Sequence, residues 1–140
     1  MRVLAVASAE LCATLTRQLT AFNVEVVRAT HASEVAHRIQ VGETFEVAIL
    51  PVALPHTEWW ALCGKLCLLN PRPSILVYAR STTFQLWAVV LESGAYDLIA
   101  EPFSKEEIQD AVSRAVRNFK SDEDAPKTSK QLRLYLDRVI

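Results

Sequence analysis

Five short apolar runs punctuate the chain: Val3 to Ala7, Val24 to Arg28, Val47 to Leu50, Ser74 to Tyr78 and Leu98 to Ala100. Segments such as VLAVA, VAIL and SILVY are apolar on successive residues, as expected of strands covered on both faces; a strand with one wet face alternates. Helical patterns fill the intervals. Leu11, Leu15 and Leu19 recur at i, i+4 and i+8 behind Ser8, a capping residue type, and Val35 and Ile39 lie between Thr30 and Gly42. A third helix is expected from near Thr57 through Leu62 and Leu66, stopping before Asn70 and Pro71 because a residue preceding proline disfavours the helical region. Thr82 and Gln85 have capping-box spacing before a fourth helix that ends at Gly94. Ser104 and Glu107 repeat that spacing before a fifth, with an inward stripe of Ile108, Ala111, Val112, Ala115 and Phe119.

Strands alternating with helices through right-handed crossovers predict an α/β, flavodoxin-like (βα)5 fold. This is a doubly wound parallel sheet in three layers, with strand order 2-1-3-4-5. The runs at Val3, Val47 and Ser74 are its expected middle strands. In such sheets a site lies beyond the carboxyl ends of the strands, so the residues that follow each strand carry the functional question. The domain is expected over residues 1–119. A polar, proline-interrupted linker follows at 120–130, then an amphipathic C-terminal helix at 131–140 with Leu132, Tyr135, Leu136 and Val139 on one face.

Composition removes several function classes. A net charge of -1 provides no basic face, so no nucleic-acid partner is expected. No run approaches the ~18 apolar residues of a membrane span, and the apolar start is too short for a secretory signal, which points to a cytoplasmic protein with no membrane partner. Cys12, Cys63 and Cys67 read as buried free thiols; Cys63 and Cys67 lie one helical turn apart but have no histidine nearby to complete a metal site. His31, His37 and His56 read as surface residues. The glycines are Gly42, Gly64 and Gly94, and none follows the first strand, so a phosphate-cradling loop is missing and an enzyme is not expected.

Three segments carry a family resemblance: FEVAILPVALP (Phe45 to Pro55), PSILVYARS (Pro73 to Ser81) and GAYDLIAEPFSKEEI (Gly94 to Ile108). With them, the stretch from Met1 to Asn118 resembles the receiver domain of two-component response regulators. The resemblance implies an acidic pair after the first strand, a phospho-accepting aspartate after the third, a hydroxyl after the fourth, an aromatic switch residue in the fifth and a lysine before a cis-proline. Here those positions hold Ala7 and Ser8, Pro51, Tyr78, Leu98 and Glu101, with Pro102 as the cis-proline candidate. Proline has no nucleophilic oxygen. Mg²⁺ binds through carboxylate oxygens, for which Glu10 and Glu101 are the chief candidates, and Glu101 reverses the charge that would meet a phosphoryl group. The reading is therefore a degenerate, pseudo-receiver variant with no catalytic residue, no metal, no cofactor and no aspartyl phosphorylation. Tyr78 either fills the emptied volume or holds one conformation.

If the crevice is inert, function passes to a surface. Leu86 to Leu91 is apolar on six successive positions, wider than one buried stripe, so an outer face with Leu86, Trp87 and Val90 is expected to be exposed. Of Trp59 and Trp60, adjacent on a helix, one packs inward and the other is exposed. The expected partner is a protein or a second copy of the chain. A homodimer would form through the fourth helix, fifth strand and fifth helix face, or through the C-terminal tail. Two alternatives are a flavodoxin-like small-molecule-binding domain and the receiver of a longer regulator whose output domain follows Ile140.

Overall fold

The computed structural model describes residues 1–53 and 59–121. The expected tail helix with Leu132, Tyr135, Leu136 and Val139, most of the linker, His56 and the start of the third helix at Thr57 lie outside the described residues. The strands are β1 (Arg2–Val6), β2 (Glu25–Ala29), β3 (Val47–Pro51), β4 (Ser74–Ala79) and β5 (Asp97–Ala100). The helices are α1 (Ala9–Gln18), α2 (Ala32–Gln40), α3 (Trp59–Cys67), α4 (Phe84–Glu92) and α5 (Lys105–Ser121). All pairings are parallel and the order is β2-β1-β3-β4-β5, the doubly wound arrangement predicted from the alternation.

The successive apolar residues of the strands divide between two core layers. Leu4, Val6, Ala48, Leu50, Ile75 and Val77 pack with Val35 of α2, Leu62 and Leu66 of α3, and Val90 and Leu91 of α4. Their neighbours Val3, Ala5, Val47, Ile49 and Leu76 pack with Leu15 of α1 and Ile108, Ala111, Val112 and Ala115 of α5. Each large aliphatic side chain buried in this way contributes about 1.5–3 kcal/mol. That is why β1, β3 and β4, the inner strands, tolerate no alternation.

Local signals set the helix entries. Ser8 accepts from the Leu11 amide at 3.2 Å, and Ser104 and Glu107 form the reciprocal box at 3.1 and 3.3 Å. Two entries differ from expectation. Thr83, one residue after Thr82, caps α4 by accepting from Leu86, which leaves Gln85 outside the box position. His31 caps α2 through its backbone alone, while Glu34 reaches back to the Thr30 amide at 3.3 Å. At the other end, α5 continues through Ser121 into the expected linker. Val116 packs on the core in the last turns, and Phe119 is only half-buried.

The main correction concerns α4. Trp87 and Val90, expected on an exposed face, are buried at 8% and 0% exposure, and Leu86 is half-buried against the core. Trp87, Val90 and Leu91 stand at i, i+3 and i+4 and form the inward stripe. The Trp87 indole Nε1 donates to Asp97 Oδ1 at 3.3 Å, giving the buried ring a polar partner in β5. The exposed apolar residues of α4 are Phe84 and Val89. In α3 the tryptophans divide: Trp59 is buried and Trp60 is 51% exposed. Among the described residues, no helix is long and apolar enough to cross a membrane.

Candidate functional site

The carboxyl ends of β1, β3 and β4 meet in an open crevice of about 1120 Å³. Ala7, Ser8, Pro51, Tyr78, Glu101 and Pro102 all line it, so six positions scattered over the sequence converge at one place. Leu98 does not join them. It is buried in the layer packed by α2, α3 and α4.

Each wall follows from local structure. Ala7 closes β1, its amide donating to the Ala29 carbonyl at 3.1 Å, and Ser8 then spends its hydroxyl on capping α1. Pro51 is the last residue of β3, where a missing N–H costs the ladder least, and it sits in register with Tyr78 of β4. The Glu101–Pro102 peptide is cis. Glu101 is fixed through its own amide, which donates to the Ala79 carbonyl at 2.8 Å.

Tyr78 dominates the floor. Its ring is buried on the α1 and α5 side of the sheet and meets Phe103 edge-on, with centroids 6.4 Å apart at 82°. Its hydroxyl donates to the Val6 carbonyl at 2.8 Å, reaching from β4 past β3 to the end of β1. Burial, and then the Glu101 carboxylate, push the phenol above its ordinary tyrosine value, so it is neutral and committed as a donor.

The charged groups lining the crevice are Glu10 and Glu101 against Arg80. Arg80 Nε stands 3.8 Å from Glu101 Oε2, with the arginine side chain 94% exposed. Sequence reasoning missed Arg80 and Thr30, although both follow directly on strands and inspection of those positions could have found them. Arg28 was also missed: its Nε donates to the Ala7 carbonyl at 3.2 Å and braces the β1 exit from the neighbouring strand. Among the described residues, no group of three or more His, Cys, Asp or Glu side chains is placed to hold a metal ion.

Five parallel strands in the order 2-1-3-4-5, with a crevice at their carboxyl ends, form a flavodoxin-like α/β fold, and the solved structures it resembles are CheY-like receiver domains of response regulators. No family model and no curated protein matches the sequence, so the likeness is one of structure. A signal receiver domain from Vibrio parahaemolyticus superposes with a TM-score of 0.78 at 15% identity, over 87% of this chain and 94% of that one. A CheY-like response regulator receiver domain protein from Methanospirillum hungatei gives 0.76 at 20% identity, over 86% and 97%. A chemotaxis response regulator of Vibrio cholerae gives 0.73 at 21% identity, over 81% and 97%.

Proposed function

We propose that this chain is a receiver-fold signalling domain of the cytoplasm that acts through protein–protein contacts and takes no phosphoryl group on a strand-end aspartate. One observation carries the reading. Pro51 stands where β3 delivers its last side chain into the crevice, and Tyr78 runs beneath it with its hydroxyl tied to Val6.

The chemistry supports it. An acyl phosphate needs a carboxylate nucleophile and a metal to hold the transferred oxygens in line. At this crevice the third strand supplies a ring carbon, the first supplies Ala7 and a serine already engaged as a helix cap, and the fifth supplies a carboxylate. A dianionic phosphoryl group beside Glu101 meets like charge, and Arg80 offsets only part of it from an exposed position. The domain then has no catalytic step of its own. A protein partner or a second copy would meet Phe84 and Val89 on α4 and Trp60 on α3, because Trp87 and Val90 are committed to the core.

Incubation of the full chain with acetyl phosphate and Mg²⁺, followed by intact mass measurement, is expected to leave the mass unchanged. A stable phosphoryl adduct that maps to the crevice would overturn the reading.

A further inference from the structure

Two of the three cysteines meet at one place. Cys63 and Cys67 lie one turn apart on α3, and both sulfurs turn to the chain that leaves α4. Cys63 Sγ donates to the Ser93 carbonyl at 3.3 Å, and Cys67 Sγ stands 3.9 Å from the carbonyls of both Ser93 and Gly94. Cys12, the third cysteine, is buried on α1, whose core contacts lie on the other face of the sheet.

The two thiols of the pair differ. Cys63 is fully buried, whereas Cys67 is half-buried. Hydrogen bonding with Cys67 and then burial hold the Cys63 thiol well above its ordinary range, so it stays protonated. Cys67 has a cation at its side. A Cβ on Gly94 would stand 2.6 Å from Cys67 Sγ and 2.9 Å from Arg72 Nη2, so sulfur and guanidinium flank one point, and the guanidinium is anchored there by donating to the Gly94 carbonyl. Partial exposure and an adjacent arginine favour a thiolate and its attack on an oxidant.

The spacing is close to what a bond between the sulfurs needs. Residues four apart on an α-helix have Cα atoms about 6 Å apart, inside the usual disulfide range of about 4.4–6.8 Å. Their Cβ atoms, at about 5–6 Å, must approach by roughly 1–2 Å. The end of the helix permits that shift. Cys67 is the last residue of α3, and the next two amides, of Leu68 and Leu69, already donate to Lys65 and Leu66 in the tighter three-residue pattern. Only the final turn has to move.

We infer that Cys67 and Cys63 form a peroxide-oxidisable pair, in which Cys67 is the reacting thiol and Cys63 the resolving one. The Cys67 thiolate attacks one oxygen of hydrogen peroxide, the O–O bond breaks, the departing hydroxide leaves as water, and Cys67 becomes a sulfenic acid. Cys63 then attacks the Cys67 sulfur, the S–O bond breaks, and the hydroxide leaves as water with the Cys63 proton. Two thiols are thereby oxidised to one disulfide, and one hydrogen peroxide is reduced to two waters. Both sulfurs are withdrawn from the Ser93 and Gly94 carbonyls, which loosens the turn between α4 and β5. A bond strained by its helix is readily reduced, so the step is reversible. None of this requires the crevice to be inert.

Treatment of the full chain with a slight excess of hydrogen peroxide should remove two hydrogens from its mass. After denaturation one cysteine, Cys12, should remain open to alkylation, and dithiothreitol should restore all three. Peptide mapping should place the bond between Cys63 and Cys67. Cys63→Ser should stop at the sulfenic acid, labelled by dimedone at Cys67, with the circular dichroism of the parent. Cys67→Ser should slow the oxidation of Cys63 at least several-fold. Retention of both thiols in the parent under peroxide that fully oxidises glutathione would overturn the inference. So would a disulfide that joins two chains or includes Cys12, or a parent in which Cys67 alone passes to the sulfinic acid while Cys63 stays a thiol.

Discussion

The Tyr78 hydroxyl and the Val6 carbonyl are 2.8 Å apart and 72 residues apart in sequence, and their hydrogen bond ties the ends of β4 and β1 across the floor of the crevice. Both groups are buried, so the bond gives the phenol a polar partner where water does not reach.

Tyr78→Phe removes the donor and with it one buried hydrogen bond, at an expected cost of about 0.5–1.5 kcal/mol in urea unfolding. Tyr78→Thr also removes the ring from Phe103, and the expected loss rises to roughly 3–5 kcal/mol. If Tyr78 holds one conformation, the threonine variant also gains exchange in the crevice loops by relaxation dispersion; a pure space-filler loses stability alone.

The raised phenol has a pH consequence. Because its folded-state value lies above the unfolded one, its contribution is fully present below the ordinary tyrosine value of about 10 and is lost as pH rises beyond that. The alkaline fall in stability should be shallower in Tyr78→Phe than in the parent, as measured by thermal melts across that range.

A second pH effect, of opposite sign, sits at the far end of the sheet. Arg2 Nη2 donates to Glu43 Oε1 at 2.6 Å, and this bond, aided by Arg38, holds the Glu43 carboxyl below the usual carboxylate range despite some desolvation. A lowered value means that the contribution is present above the ordinary carboxylate pKa of about 4 and is lost as pH falls through the folded-state value. Glu43→Gln should flatten the acid limb of stability against pH, and high salt should reproduce part of that change in the parent.

Gly94 follows α4 with φ at +100°, and a Cβ there would stand 2.6 Å from Cys67 Sγ and 2.9 Å from Arg72 Nη2. Gly94→Ala therefore combines backbone strain with a steric clash. The expected loss is roughly 1–3 kcal/mol by chemical denaturation.

At the α4–β5 contact, Asp97 accepts from the Trp87 indole and from the Leu98 amide, and Arg114 stands 3.5 Å away. Asp97→Ala strips those donors of their shared acceptor and should cost more than Asp97→Asn, which keeps an oxygen in place. Trp87→Phe is expected to fall between them, at about 1–2 kcal/mol. The ranking is read from denaturation midpoints.

The strands were legible because burial on both faces leaves a continuous apolar signature, and the Ser104–Glu107 box was legible because its chemistry is local. The facing of α4 was not. Six consecutive apolar residues carry no phase; in the fold Trp87, Val90 and Leu91 face the core, and the Trp87 indole meets Asp97, a partner ten residues on and in another element. The α4 cap slipped by one residue because Thr82 and Thr83 are the same residue type, and only backbone geometry separates them. The crevice residues converged as the topology required, yet the Tyr78–Val6 bond could not be read from spacing. It depends on how far a ring on β4 reaches beneath β3.

That reach also limits how the crevice could be re-engineered. Pro51→Asp alone would introduce a third carboxylate among Glu10 and Glu101, where like charge favours its protonated, unreactive form, and the phenol would still occupy the space below. On the proposed reading, phosphoryl chemistry in this crevice would require several coordinated replacements.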